Sequence, residues 1–152
     1  MIVCGCFRFL RKRKDLLVFI LFASLPLPFT LQAACRSRPC ALPRFGTGDP
    51  LYCDRDYVCS ALPDRLRAQQ PHLVAVLTAQ SDKRSFSKHF MRFTVSRAAV
   101  VMVGFDSRIA ELPSWLATSG FKWMDLELPG TEPDFVYRLY GKRCEESSRS
   151  AS

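Results

Sequence analysis

An antiparallel all-β domain behind an export leader is the fold class the sequence predicts, and three observations carry it. Ten prolines, seven glycines and twelve phenylalanines in 152 residues favour short strands joined by turns over a helical bundle. Apolar-polar alternation or compact apolar runs recur in six segments between residues 51 and 141, and no ten-residue stretch among them keeps a helical period. At 48% hydrophobic and 24% charged, the chain is too apolar for disorder and too charged for a polytopic membrane protein. The length fits one domain.

The leader is expected over residues 1–34. A basic opening, "RFLRKRK", precedes the apolar run "LLVFILFASL", then "PLPFTLQAA" and Cys35. Positive charge, a short apolar run, a helix-breaking stretch and small residues make up the order of a secretory signal. Pro26 and Pro28 interrupt the apolar run before it reaches the ~20 residues of a bilayer-spanning helix. Cleavage near Ala34 and export to the extracellular space are expected. The alternative is an uncleaved signal anchor over 16–34, and only that alternative brings a membrane partner. Gln32-Ala33-Ala34 lacks the aliphatic residue of a lipoprotein signal, which argues against lipidation. Loss of Arg8, Arg11, Lys12, Arg13, Lys14 and Asp15 reduces the net charge from +8 to +4, with the remaining cations scattered. No nucleic-acid partner is therefore expected.

Residues 35–45 read as a Cys/Pro-rich lead-in, 46–141 as the β domain and 142–152 as a polar tail. "LYCDRDYVCSAL" reads as an opening strand with Tyr52 and Tyr57 on opposite faces, and "LPDRLRAQQP" as a turn or short helical loop. "HLVAVLTAQ" reads as a buried strand, "SDKRSFSKH" as a polar connection, "FMRFTVSR" as an alternating strand, and "AAVVMVGFD" as the most buried strand. A long turn, "SRIAELPSWLATSG", leads to the strands "FKWMDLEL" and "FVYRLYG", which are separated by "PGTEPD". Such a series pairs antiparallel and closes as a sandwich.

Cys4 and Cys6 fall in the leader, leaving Cys35, Cys40, Cys53, Cys59 and Cys144 as disulfide candidates. Cys40 and Cys35 flank a proline-containing turn. Cys53 and Cys59 would stand ~20 Å apart on an extended strand and should not bond to each other. Cys144, at the far end, is the better candidate partner for one of those two, so that it joins a cysteine of the N-terminal part. A zinc site has no Cys-x-x-Cys pair to support it, and His72 and His89 fit no ligand spacing.

The stretches "GTGDPLYCDRDYVCSALP", "TAQSDKR", "FMRFTVSRAAVVMVGFDSRIAELPSWL" and "DFVYRLYGK" resemble, in that order, a domain appended to secreted polysaccharide-degrading enzymes such as polysaccharide lyases and found in other extracellular proteins. The resemblance covers about residues 46–141. It implies a jelly-roll β-sandwich of accessory, non-catalytic character. The family has a further glycine-rich strand where this chain turns polar at Lys142, and it does not ordinarily hold cysteines at the positions of Cys53 and Cys59.

The functional expectation is a secreted, non-catalytic module that binds a polysaccharide or glycoprotein glycan. The alternative is a disulfide-stabilised extracellular domain whose partner is a protein. Ligand-binding candidates are Asp106, Arg108, Trp123 and Tyr52. Asp106 and Arg108 lie two apart and can form a hydroxyl clamp or an ion pair that pins the turn, with Arg55 or Asp54 as further partners. Trp115, in a Leu-Pro-Ser-Trp-Leu corner, is expected to cap the core, and Trp123 is the more open stacking surface. Asp49, Asp54 and Asp56 form a candidate structural calcium cluster, with no other cofactor expected. No nucleophile motif or phosphate loop points to an enzyme.

Overall fold

The computed structural model describes residues 2–3, 19–23, 30–33, 40–42, 44–79, 91–95, 98–132 and 135–144. In chain order the strands are β1 (Ile2–Val3), β2 (Phe19–Ala23), β3 (Thr30–Ala33), β4 (Cys40–Leu42), β5 (Leu73–Leu77), β6 (Met91–Val95), β7 (Ala99–Asp106), β8 (Lys122–Pro129) and β9 (Val136–Cys144). Two one-turn helices, α1 (Asp64–Arg67) and α2 (Ser114–Thr118), and a 3₁₀ turn at Gln70–His72 complete the described elements. The strands form a six-stranded sheet in the order β4-β5-β2-β7-β9-β8 and a three-stranded sheet in the order β1-β6-β3. Every pairing is antiparallel, so the fold is β-rich and antiparallel, as the alternation predicts.

Register sorts the large sheet into two faces, because successive side chains along a strand point to opposite sides. Leu73, Ala75 and Leu77 of β5, Met102 of β7, Tyr137 and Leu139 of β9 and Leu128 of β8 share one face and belong to one core cluster. That face is covered by the segment from Phe45 to Leu66, which sends in Phe45, Leu51, Tyr52, Cys59, Leu62 and Leu66. Val101, Val103, Phe105 and Tyr140 occupy the opposite face and are also buried. Seven of the eight β7 residues are buried, and a strand buried on both faces reads as the unbroken apolar run seen in its sequence.

The covering segment differs from the expected opening strand. Residues 51–62 make no ladder, only the isolated bridges Pro50↔Val58 and Cys59↔Gly130. The segment folds back on itself: Leu51 N donates to Tyr57 O at 2.8 Å and Cys59 N to Asp49 O at 2.9 Å. Leu51 and Tyr52 are consecutive and both buried, which no extended strand on one surface allows. Asp54, Arg55 and Asp56 then break any alternation by lying together in solvent.

Two boundaries also move. β9 runs to Cys144, into the expected polar tail, and β4 lies within the expected lead-in. Three strands, β1, β2 and β3, are formed by residues expected in the leader, and β2 sits between β5 and β7 in the large sheet. The connection over 81–89, Cys35 and the tail past Cys144 lie outside the described residues.

Candidate functional site

The site grows from the end of β7. Ser107 N still donates to Val136 O at 2.8 Å, but the chain then turns, with Ile109 N donating to Asp106 O at 3.0 Å. Arg108 therefore follows a turn and not an extended strand. Its backbone N donates to Asp106 Oδ1 at 3.0 Å and its Nε to the same oxygen at 2.9 Å. Nε also reaches Oδ2 at 3.1 Å, and Nη2 donates to Oδ2. A fork held by both carboxylate oxygens fixes the guanidinium plane. The carboxylate side of this pair is 7% exposed and the arginine side 55% exposed.

The fixed guanidinium lies over the Phe135 ring, 4.5 Å from its centroid. Tyr57 stacks on Phe135 at 5.0 Å with the rings 26° from parallel. Tyr137 meets Phe135 edge-on at 5.5 Å, and Tyr52 meets Tyr57 edge-on at 6.1 Å. Beneath these rings the Tyr137 hydroxyl donates to the Tyr52 hydroxyl at 3.1 Å. Burial pushes the Tyr52 hydroxyl up to about 12 and Tyr137 higher still, so both stay neutral. The result is a polar rim, Arg108 with Asp106, set on an aromatic floor whose outermost ring is the half-buried Tyr57.

Three of the four expected ligand residues, Tyr52, Asp106 and Arg108, meet here, with Tyr52 buried as support. Trp123 does not join them. It pairs with Tyr140, and Asp106 pairs with Tyr137 three residues away along β9, so the two lie on opposite faces of the sheet. Trp123 is 56% exposed on the edge strand β8, as an open stacking surface requires, but it stands apart from the clamp. Tyr57, Phe135 and Tyr137 were not singled out by sequence. The "DFVYRLY" alternation could have marked Phe135 and Tyr137 as one face, but nothing local ties them to Tyr57.

Trp115 caps the core: it is 6% exposed on α2 and packs against Phe105 at 6.0 Å and Phe121 at 6.3 Å. Pro113 sets the N-cap of that helix and Gly120, at φ 80°, its exit, which holds it to one turn.

Asp49, Asp54 and Asp56 do not converge. Asp49 turns inward to accept from Gly46 N at 2.7 Å, and Asp54 and Asp56 are exposed. Among the described residues no three His, Cys, Asp or Glu side chains gather where a metal could sit. Cys53 and Cys59 are both thiols, joined neither to each other nor, against expectation, to Cys144. Cys53 Sγ donates to Leu77 O at 3.2 Å and Cys59 Sγ to Ala61 O at 3.3 Å, so a loop and not an extended strand keeps them separate. Burial pushes the Cys59 thiol up to about 11.

No family model, no curated protein and no solved structure matches the chain.

Proposed function

We propose that the protein is an exported, non-catalytic β-sandwich module that binds a glycan at the Arg108 rim. The observation that carries this reading is the guanidinium of Arg108, held in plane by Asp106 and laid over an aromatic pair. Sugar rings offer apolar C–H faces to aromatic side chains and hydroxyls to planar donors and carboxylates. Asp106 offsets the charge of Arg108, which favours neutral, hydroxyl-rich glycans over phosphates. The same contacts argue against catalysis, since a carboxylate gripped by its arginine is poorly placed to take a proton from substrate. The sandwich closure is inferred from the buried second face of β7, which needs a covering layer, and the β1-β6-β3 sheet is the proposed layer.

A glycan array probed with the full chain tests this reading. Arg108→Lys keeps the charge but loses the fork, and Tyr57→Ala removes the outer ring. Each should reduce retention on the glycans the parent binds by at least ~10-fold, one good hydrogen-bonded contact being worth about 1.5 kcal/mol. Trp123→Ala should leave retention unchanged. A loss with Trp123→Ala alone would move the site to the opposite face, and a parent that retains no sugar would favour the protein-partner alternative.

A further inference from the structure

The apolar run that reads as an export leader is also the strand on which the large sheet depends. β2 pairs with β5 from Ile20↔Val76 to Ala23↔Leu73 and with β7 from Phe19↔Gly104 to Ala23↔Val100. It is thus hydrogen-bonded along both edges. β5 has only β4 on its other side, and β7 has β9. Taking β2 away divides the sheet into the β4-β5 pair and the β7-β9-β8 trio. It also strips the facing N–H and C=O groups of two strands whose side chains are almost all buried. Buried backbone groups without partners are costly, and a lone two-stranded ribbon is marginal in water.

We propose that the slot between β5 and β7 is a strand-binding site occupied in cis by Phe19–Ala23, so that folding and removal of the leader-like segment exclude each other. The composition of the segment serves both ends. A strand buried at the centre of a sheet and the apolar run of a leader are both short, uninterrupted and rich in Leu, Ile, Val and Phe. In the folded chain the segment is locked into the ladder and withheld from a membrane or a peptidase. In the unfolded chain it is exposed behind its basic flank. The Arg108 rim draws no residue from β2, so glycan binding itself does not depend on this inference, but an exported and folded module must then retain residues 1–34, which also supply β1 and β3.

Hydrogen exchange on the full-length chain decides it. Backbone amides of 19–23 should exchange at least ~100-fold more slowly than in an unstructured peptide, in step with β7, as buried ladders do. Leu21→Pro removes a ladder donor and should speed exchange in both 73–77 and 99–106 by ~10-fold or more. Because that variant can fail to fold, the parent measurement stands on its own. Free exchange at 19–23 beside a protected β7 would overturn the proposal. So would β5 and β7 amides indifferent to Leu21→Pro, or a folded chain recovered with its N-terminus at Cys35.

Discussion

The hydroxyls of Tyr52 and Tyr137 share one hydrogen bond in the core, and their burial makes stability sensitive to alkali. Burial holds Tyr52 up at about 12, against an ordinary value near 10, and holds Tyr137 higher. The preference of the fold for the neutral ring is fully present below about pH 10, where the unfolded tyrosine is also neutral. It is lost as pH rises from there through the folded value. The melting temperature should be insensitive to these groups up to about pH 10 and then fall, and the Tyr52→Phe, Tyr137→Phe double variant should fall less. At neutral pH, Tyr137→Phe alone should cost about 1 kcal/mol in a denaturant titration, the usual worth of one buried hydrogen bond. The two tryptophans offer a second comparison. Trp115→Ala empties a site between Phe105 and Phe121 and should cost ~3–5 kcal/mol. Trp123→Ala, at an exposed position, should stay within about 0.5 kcal/mol.

Among the elements, β8 shows how a local irregularity is read against a ladder. Its pairing with β9 slips between Trp123 and Glu127, and Asp125 sits at φ 56°, in the left-handed region. Arg65 Nη1 donates to Met124 O at 3.4 Å on the outer edge, and Ser60 N donates to Pro129 O at 2.9 Å. A bulged, partly covered edge resists pairing with a second chain. Asp125→Gly should relieve the left-handed cost and hold or raise the melting temperature, while Asp125→Val should lower stability by about 1–2 kcal/mol. The alternation around this bulge was legible in sequence, as it was for β6, because a two-residue period survives wherever a strand has distinct faces, whereas β5 and β7 are buried on both faces and read as apolar runs. The segment 51–62 misled for the complementary reason. Its apolar residues are spaced like a strand's, but they are buried by a loop that folds over the sheet, and only long-range contacts such as Cys53 N to Thr78 O at 3.2 Å decide that. Asp106 and Arg108 could be paired from their spacing alone. The side of the sheet on which Trp123 falls could not, because parity acquires meaning only once register is set.

For the molecule as a whole, cysteine pairing tests the path of the chain. Cys144 is buried at the end of β9, opposite Ala99. Cys40 faces Leu77 at the far edge of the sheet. Four strand spacings and about five residues of rise place its Cα roughly 25 Å from that of Cys144, well beyond the ~7 Å limit for a bridge. Peptide mapping without reduction should therefore join Cys144 to Cys35, Cys4 or Cys6, and should recover Cys53 and Cys59 alkylated. A Cys40–Cys144 peptide would mean that the strand order is wrong. Sequence paired Cys144 with Cys53 or Cys59, because an extended strand would hold those two ~20 Å apart, and both are instead thiols in a loop. It could not place β2, since an apolar run carries no mark of which strands will flank it.

The position of β2 also sets a clock on synthesis. Its partner on β7 spans residues 100–104, so the ribosome must add roughly 80 residues after Ala23 before the slot can close, about 4–16 s at ordinary elongation rates. Throughout that interval the nascent chain displays its most apolar stretch behind five basic residues. On the proposal that β2 doubles as a leader, capture at a membrane and completion of the sheet would compete in a race between recognition and elongation, decided before the last strand has been made.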